Sequence, residues 1–523
     1  MEHIQKTVLR EQLTGEVSRL VAGGARFVMT VGTDLRPQGQ GFEVRHFFTH
    51  KETGVATTLV VPVPEADPNL PTISGVTPAA LWAERELYDM LGIKAEGHPD
   101  LRRLVVSDDW PDDVFPLRKD VPHNYRPPRA ENTRPALKPV PDGSTIVPIG
   151  PFFPTLEEPA YFRLFVEGET VVGVDYRGFY SHRGIEKLSE TLHYDQVPFL
   201  SERICGICGF VHSTCFSQAV EQAIGVEVPV RAQYIRTVML ELERIHSHLL
   251  WLGLAAHVVG FDTAFMQAWR VREPVMWAAE ALTGNRKTYG MNLPGGVRRD
   301  LTAEGIKNVR EVLNTVEKET LSLVRALERD SSLRMRLQGV GVLTHQQALD
   351  WAVIGPVARA SGVREDIRIH FPYAAYRDLE VKMAVREAGD IWARLEVREE
   401  ETLEAIRLIR AALDNLPAGP TMLDLGEIPA GKVGVAMVEA PRGQCYNHVV
   451  TGEGGRPYRW RVLAPTYMQL QAVPQMVTPG TTIADFPIIA ASIDPCFSCT
   501  ERLEIVRREG KVDDAVTQRR GQP

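Results

Sequence analysis

Four of the six cysteines form two Cys-x-x-Cys pairs, Cys205 with Cys208 and Cys496 with Cys499. Four thiolates suit a soft or borderline metal, which means zinc, nickel or an iron–sulfur cluster. Six cysteines in 523 residues do not make a disulfide framework, and paired Cys-x-x-Cys motifs indicate metal binding or redox chemistry. The two pairs therefore predict one metal centre assembled from distant parts of the chain.

Spacing alone leaves a structural zinc site with four cysteine ligands open. Such sites usually join short segments, whereas these pairs lie roughly 290 residues apart and beside predicted long helices. His212 follows Cys208 by four residues, a position suited to a hydrogen bond to a metal-bound sulfur. The two remaining cysteines, Cys215 and Cys445, are unpaired and are predicted to be packing residues.

Composition is that of an ordinary globular protein, with 44% hydrophobic and 24% charged residues and enough length for two or three domains. The net charge of −8 argues against a nucleic-acid-binding protein. The N-terminal residues contain no apolar signal core, which predicts a cytoplasmic location. The longest apolar stretch, residues 249–261, is shorter than the ~20 residues that span a bilayer, so we expect membrane association only through partner subunits.

Periodicity predicts an α+β N-terminal domain followed by a mostly α-helical domain with small β-sheet elements. The predicted domains are residues 1–120, a linker over 121–148 with seven prolines, a catalytic domain over 149–502 and a tail over 503–523. In the first domain the pattern predicts helices over 11–22 and 78–91, with Thr77 as N-cap and Gly92 after the C-terminus, and strands over 26–32, 41–48 and 57–63. In the second domain it predicts a β-hairpin over 161–176, short strands within 430–461, and helices over 195–203, 213–223, 228–259, 264–283, 302–327 and 379–413.

The residues 84–93, 97–104 and 116–120 resemble the small peripheral-arm subunit of respiratory complex I, which in some proteins is fused to the quinone-pocket subunit. The segment 113–115 departs from that pattern, because a Gly-His is expected before Pro116. The polar residues of this region are expected to form a structural cluster at a subunit interface, and no catalysis is assigned to them.

The segments 202–212 and 494–502 resemble the two cysteine motifs of the large subunit of [NiFe] hydrogenases. The complex I-like N-terminal domain narrows this resemblance to the energy-converting, membrane-associated group 4 class, which includes formate hydrogenlyase and hydrogenase-4. The resemblance implies that Cys205 and Cys496 are terminal nickel ligands. It also implies that Cys208 and Cys499 bridge nickel to an iron carrying CO and CN ligands, and that a terminal thiolate such as that of Cys496 takes the proton when H2 is cleaved.

Other positions match the family pattern. The resemblance places a proton-relaying carboxylate at Glu157 or Glu158, with Glu157 favoured by its distance from the first cysteine pair, although a surface pair of glutamates stays open. It places the Arg442 guanidinium over the iron, near the diatomic ligands. We expect His246 and His248 to be core histidines with satisfied hydrogen bonds.

The resemblance also concerns a second ion below the site. Glu186 matches the glutamate that helps to hold a second metal or an ion pair, and Arg502 stands where many hydrogenases have a magnesium-binding histidine. We therefore expect Glu186 to pair with Arg502, and magnesium to be unlikely here. His212 is expected beside the cofactor. Phe153 replaces a histidine that the family usually shows, which weighs against direct quinone reduction.

The function that the resemblance implies is the catalytic large subunit of a membrane-associated energy-converting [NiFe] hydrogenase that forms or oxidises H2. No cysteine remains for an iron–sulfur cluster, so electrons are expected to pass to a partner iron–sulfur subunit related to complex I. Antiporter-like membrane subunits, a maturation endopeptidase that removes the tail after Arg502, and a position on the cytoplasmic face of the membrane are also expected. A frayed terminus is the other interpretation of the tail. The rival functions are a complex I-like NADH-quinone oxidoreductase C/D subunit, which would involve quinone or NAD binding, and a scaffold with structural zinc.

Overall fold

The computed structural model describes residues 2–128, 136–151, 159–180, 182–287 and 289–499. The N-terminal part contains six strands and two helices within these ranges. They are β1 (Glu2–Thr7), α1 (Leu13–Ala22), β2 (Arg26–Asp34), β3 (Phe42–His50), β4 (Val55–Val63), β5 (Asn69–Pro71), α2 (Leu81–Leu91) and β6 (Lys94–Glu96).

The N-terminal sheet has the strand order β1–β4–β3–β2, in which β2, β3 and β4 are antiparallel and β1 joins β4 in parallel. The three predicted strands are confirmed, whereas sequence reasoning missed β1. Helix α2 follows a 3-10 turn over Pro78–Ala80 and ends as expected at Gly92, whose φ of 77° suits glycine and whose N–H donates to Tyr88 O. Thr77 occupies the predicted N-cap position with an extended backbone, but its side chain makes no capping hydrogen bond.

The second part is mostly helical. Its elements are β7 (Thr145–Ile149), β8 (Tyr161–Glu167), β9 (Thr170–Arg177), α3 (Ile185–Ser189), α4 (Val197–Ser201), α5 (Gly209–Ile224), α6 (Val230–Val258), α7 (Asp262–Thr283), β10 (Asn292–Leu293), β11 (Gly296–Val297), α8 (Ala303–Arg329), α9 (Ser331–Leu337), α10 (His345–Asp350), α11 (Gly355–Ala360), α12 (Ile367–His370), α13 (Ile391–Asp414), β12 (Val433–Ala440), β13 (Gly443–Thr451), β14 (Pro457–Leu463), α14 (Pro465–Ala472) and α15 (Phe486–Ser492).

Helix α6 is the centre of the second part. It packs against α7 and α13, and side chains around its whole circumference are buried from Ile235 to Gly253. A helix that is apolar or buried on all sides belongs in the middle of a bundle, which explains why α6 lacks a single apolar stripe. Helix α5 lies against the antiparallel sheet β12–β13–β14, so one face of this sheet is covered.

The predicted helix over residues 379–413 begins twelve residues too early, because α13 starts at Ile391. Gly389 has a φ of 66°, and a Cβ there would lie 2.2 Å from Leu343 O, so the backbone cannot continue a helix through this position. Asp390 then caps α13 by accepting a hydrogen bond from Ala393 N. The other predicted long helices are confirmed within a few residues of their ends.

The observed architecture confirms the predicted fold class, an α+β N-terminal part followed by a helix-rich part with small sheets. The predicted hairpin is confirmed as β8 and β9, and β7 extends it, although β7 begins inside the predicted proline-rich linker. The domain boundaries remain predictions. None of the helices in the described ranges is both long and apolar enough to cross a bilayer.

Candidate metal centre

The first cysteine pair lies in the turn that leads into α5. The sulfur of Cys205 accepts hydrogen bonds from Ile207 N and Cys208 N, both at 3.4 Å, and Cys208 directly precedes the helix. The N-terminus of a helix carries a partial positive charge, which favours thiolates there. A Cβ at Gly209 would lie 2.9 Å from Glu202 O, so glycine lets this turn approach the preceding segment.

Two buried polar side chains hold the start of α5. Glu243 on α6 accepts hydrogen bonds from Phe210 N at 3.0 Å and Val211 N at 3.3 Å. Burial raises the pKa of Glu243 well above its usual value. Asn292 donates to the Thr214 hydroxyl at 2.7 Å, one turn further along the helix. These contacts fix the position of the helix that follows Cys208.

The second cysteine pair follows α15. Asp494 adopts a left-handed φ of 56°, which turns the chain before Pro495, and Cys496 N donates to Thr466 Oγ1 at 3.0 Å. Cys499 N donates to Cys496 O at 3.0 Å and closes a 3-10 turn over Phe497–Cys499. A strained residue held by its surroundings is common at functional sites.

Helices α6 and α13 brace the segment before the second pair. Arg394 donates to Ser492 Oγ at 2.6 Å, and Arg398 donates to Ser492 O at 3.1 Å. Trp251 on α6 donates to Ala491 O at 2.8 Å, while its ring lies under the Arg398 guanidinium at 4.0 Å. The position of Cys496 therefore depends on two long helices that are distant in sequence.

All four cysteines of the two pairs converge. The sulfurs of Cys205 and Cys496 lie 3.2 Å apart, and those of Cys205, Cys208 and Cys499 lie within 4.8 Å of one another. Cys499 is partly exposed, whereas the other three are buried. These separations suit sulfurs that share one or two bound metal ions.

Electrostatics also fits a cation at this position. Hydrogen bonding to Cys208, and then to Cys496 and Cys499, lowers the pKa of Cys205 well below the usual thiol value. Hydrogen bonding to the Cys205 sulfur raises the pKa of Cys208 and of Cys499 well above it. A thiolate at Cys205 therefore disfavours ionisation of the neighbouring cysteines. Four thiolates are stable together only when a metal ion neutralises their charge.

Arg442 lies beside the sulfurs in the tight turn between β12 and β13. Its Nη1 lies 3.8 Å from Cys205 Sγ, and its Nη2 donates to the Asp494 carboxylate at 2.8 Å. Gly355 and Gly443 both have left-handed φ angles, and a Cβ on Gly355 would lie 2.4 Å from the Gly443 Cα. Two glycines thus permit the close backbone contact that holds Arg442 over the site.

His212 lies in the same buried region but touches a different sulfur. Its Nδ1 lies 3.4 Å from Cys445 Sγ, and its Nε2 has no hydrogen-bond partner in the described part of the chain. Burial lowers the pKa of His212 to about 4, so the ring is neutral. The predicted hydrogen bond to a ligand sulfur remains a prediction. Cys215 donates to Ala436 O at 3.4 Å, and it is buried together with Cys445, as expected for packing residues.

Glu186 is held by arginines from β14. Its carboxylate accepts hydrogen bonds from Arg459 at 2.7 Å, from Arg461 at 3.0 Å and from Val462 N at 3.0 Å. Arg502 lies outside the described residues, so the predicted Glu186–Arg502 pair stays untested, but two other guanidinium groups already pair with Glu186. The predicted proton-relay residues Glu157 and Glu158 also lie outside the described residues, as does Phe153.

The two histidines of α6 differ in their contacts. His248 Nε2 lies 2.9 Å from the Glu401 carboxylate, and burial lowers the pKa of His248 to about 4. His246 Nδ1 lies 3.4 Å from Arg272, while its Nε2 has no partner within the residues described. Both are core histidines, although each retains one ring nitrogen without a partner in this part of the chain.

Sequence reasoning missed several residues that position the centre. It assigned no role to Asp494 as the partner of Arg442, to Thr466 as the acceptor for Cys496, or to Glu243 as the anchor of α5. Of these three, only Asp494 has a local sequence signal, the Asp-Pro step directly before Cys496, since an acidic residue in a strained turn is often functional.

Three protein-family models match parts of this chain. The nickel-dependent hydrogenase model matches residues 183–256, which contain the first cysteine pair. The model of the respiratory-chain NADH dehydrogenase 30 Kd subunit matches residues 7–127, and that of the 49 Kd subunit matches residues 258–428 and 425–502. The chain therefore combines matches to two complex I subunits and to a hydrogenase.

Formate hydrogenlyase subunit 5 of Escherichia coli (strain K12) is 43% identical over 490 residues, covering 91% of this chain and 84% of that protein. Hydrogenase-4 component G of the same organism is 42% identical, covering 83% of this chain and 76% of that protein. Among solved structures, a chain of the archaeal membrane-bound sulfane sulfur reductase matches with a TM-score of 0.66 and 32% identity, covering 70% of this chain and all of that chain.

The hydrogenase relatives match nearly the whole chain, and the hydrogenase model matches the segment in which half of the sulfur cluster is built. The chain therefore belongs to the complex I-related, energy-converting [NiFe] hydrogenase large subunits and is an oxidoreductase of the hydrogenase class.

Proposed function

We propose that this chain is the catalytic large subunit of a membrane-associated energy-converting hydrogenase, with its reaction at a nickel–iron centre held by Cys205, Cys208, Cys496 and Cys499. The observation that carries the proposal is the convergence of these four sulfurs beside the buried guanidinium of Arg442. When bound, a nickel–iron centre with CO and CN ligands on iron supplies reversible heterolytic cleavage of H2.

The protein's own residues hold that centre and handle its protons. Cys205 and Cys496 would hold nickel, while Cys208 and Cys499 would hold both nickel and iron. The sulfur of Cys496 would accept a proton, because a metal-bound thiolate is deprotonated and still basic. Arg442, oriented by Asp494, directs a hydrogen-bond donor at the centre in a buried environment where such contacts are strong. Glu157 or Glu158 relays the proton outward.

Electrons leave through a partner, since the two cysteine pairs leave only Cys215 and Cys445 for any cluster in this chain. The partner is an iron–sulfur subunit related to complex I, and antiporter-like membrane subunits complete the assembly. The chain lies on the cytoplasmic face of the membrane. A maturation endopeptidase removes residues 503–523. The relatives named for formate hydrogenlyase and hydrogenase-4, and the solved membrane-bound complex, support this assembly.

A complex I-like C/D subunit without hydrogenase activity is the second candidate. The matches to the 30 Kd and 49 Kd models favour it. The cluster of four cysteine sulfurs weighs against it, because a quinone site needs no soft metal ligands. A scaffold with structural zinc would also use four sulfurs, and metal identity separates it from a hydrogenase.

The test is elemental analysis and infrared spectroscopy of the purified native complex. We expect nickel together with iron, in excess of nickel because the iron–sulfur partner subunit adds iron, and absorption bands from iron-bound CO and CN. Cys496→Ser is expected to abolish H2 oxidation and to lower the nickel content, whereas the matched control Cys215→Ser, at a buried cysteine outside the cluster, keeps both. Zinc alone, or matured protein without CO and CN bands, would refute the proposed function.

A further inference from the structure

A cavity lies between the N-terminal part and the second part of the protein and reaches the metal centre. Glu86 and Met90 of α2 line one side, Glu186 and Arg461 line the other, and Cys499 lies in its wall. The cavity has about 80 Å³ of space for water and opens to solvent. Because a single water needs only about 10–15 Å³ of such space, several waters fit between Cys499 and the carboxylates.

Glu86 and Glu186 share one guanidinium in this cavity. Arg461 binds both oxygens of Glu86, at 2.6 and 2.7 Å, and also donates to Glu186 at 3.0 Å. Glu186 accepts two further hydrogen bonds, from Arg459 and from Val462 N. Two arginines and a backbone N–H therefore stabilise Glu186 as an anion, whereas a single arginine pairs with Glu86.

The proton affinities of the two carboxyl groups differ accordingly. Burial raises the pKa of Glu86, and the charge of Glu186 adds to this, while Arg461 opposes it. Burial would also raise the pKa of Glu186, but Arg459 and Arg461 outweigh this and lower it. Arg461, Glu186 and Tyr467 are the titratable and charged groups that act on Glu86. When the pKa values of two neighbouring carboxyl groups differ in this way, the group with the higher pKa is suited to take up a proton.

We propose that this cavity is a second proton passage to the metal centre and that Glu86, a residue of the N-terminal part, is its proton carrier. The inference rests on the proposed hydrogenase function. A proton released in H2 oxidation crosses the cavity along water from the Cys499 side and forms an O–H bond with the Glu86 carboxylate. The same carboxyl group then loses the proton to solvent, and the electrons leave by a separate route.

A structural role for Glu86 predicts a different outcome from a proton-carrying role. If the Glu86–Arg461 pair only joins the two parts, both substitutions weaken it, Gln by removing the charge and Asp by shortening the side chain, and the solvent isotope effect stays that of the wild type. If Glu86 carries protons, Asp is the better substitute because it keeps a carboxyl group. A raised solvent isotope effect in Glu86→Gln, together with a more active Glu86→Asp, therefore separates the two roles.

The experiment measures H2 oxidation by the intact complex with an artificial electron acceptor, in H2O and in D2O. We expect Glu86→Gln to lower the rate about 10-fold or more and to raise the solvent isotope effect, since losing a proton-transfer group commonly costs 10²–10⁴-fold. Glu86→Asp should stay within about threefold of wild type. The control is Glu365→Gln, which removes a carboxylate from another ion pair between the two parts, that of Arg26 with Glu365 at 2.8 Å.

Nickel and iron contents, determined first, separate failure of this inference from failure of the proposed function. Wild-type protein without nickel and iron overturns both. With the metals present, three results each overturn the passage alone: a Glu86→Gln rate and isotope effect equal to those of Glu365→Gln, a Glu86→Gln variant as active as or more active than Glu86→Asp, or a Glu86→Gln variant that has lost its metals. A slow Glu86→Gln with full metal content and a partly rescued Glu86→Asp support it.

Discussion

Removing the Asp494 carboxylate should destabilise the protein strongly, because it leaves the buried guanidinium of Arg442 without its ionic partner. The two side chains are only 4% and 3% exposed and lie 2.8 Å apart. Breaking a buried ion pair by deleting one partner costs about 3–5 kcal/mol. With an unfolding entropy of about 2.1 cal/mol/K per residue, a cooperative unit of roughly 350 residues has about 0.7 kcal/mol/K, so Asp494→Ala lowers Tm by about 4–7 °C.

Differential scanning calorimetry of the wild type and variants measures this effect. The double variant Asp494→Ala with Arg442→Met should be less destabilised than the sum of the single variants, since it leaves no unpaired charge. The control is Asp414→Ala, whose ion pair with Arg310 has 60% and 39% exposed side chains and should contribute only about 0–1 kcal/mol. A Tm change below about 1 °C for Asp494→Ala, or additive effects of the single variants, would show that this ion pair does not stabilise the fold.

Two further predictions concern backbone geometry and pH. Gly443→Ala should lower Tm by more than Gly454→Ala. Both glycines have left-handed φ angles, but of the two only Gly443 has atoms within 3.0–3.2 Å of an added Cβ. Equal decreases in Tm in thermal melts would contradict this. Burial raises the pKa of Glu399 to about 9, so the stability from this group is complete below its unfolded pKa and is lost as the pH rises toward 9. Glu399→Gln should therefore raise Tm increasingly between pH 5 and 9, and a gain independent of pH in calorimetry would count against the assignment.

Local sequence signals were sufficient to predict those parts of the fold and the site in which a short motif determines both structure and chemistry. The two Cys-x-x-Cys pairs predicted one centre, and their sulfurs do converge across a sequence separation of 291 residues. Helices such as α6 and α7 follow from long periodic stretches, and Gly92 ends α2 because glycine readily adopts a left-handed φ.

Long-range contacts explain most of what the sequence did not reveal. The parallel pairing of β1 with β4 and the clamp from Arg394 and Arg398 onto Ser492 join segments that no local pattern connects. The late start of α13, at Ile391 rather than at residue 379 as predicted, follows from a steric contact between Gly389 and the Leu343 carbonyl. Such contacts depend on tertiary packing, which overrides local propensity.

Nickel X-ray absorption spectroscopy of the purified native complex reports which atoms surround the metal at the four cysteines. We expect nickel with about four sulfur neighbours and one iron nearby, since four cysteine sulfurs converge in a single cluster. Cys208→Ser should reduce the sulfur count, while Cys215→Ser should not. Nickel surrounded only by nitrogen and oxygen atoms, or a cluster that holds zinc in place of nickel and iron, would contradict it.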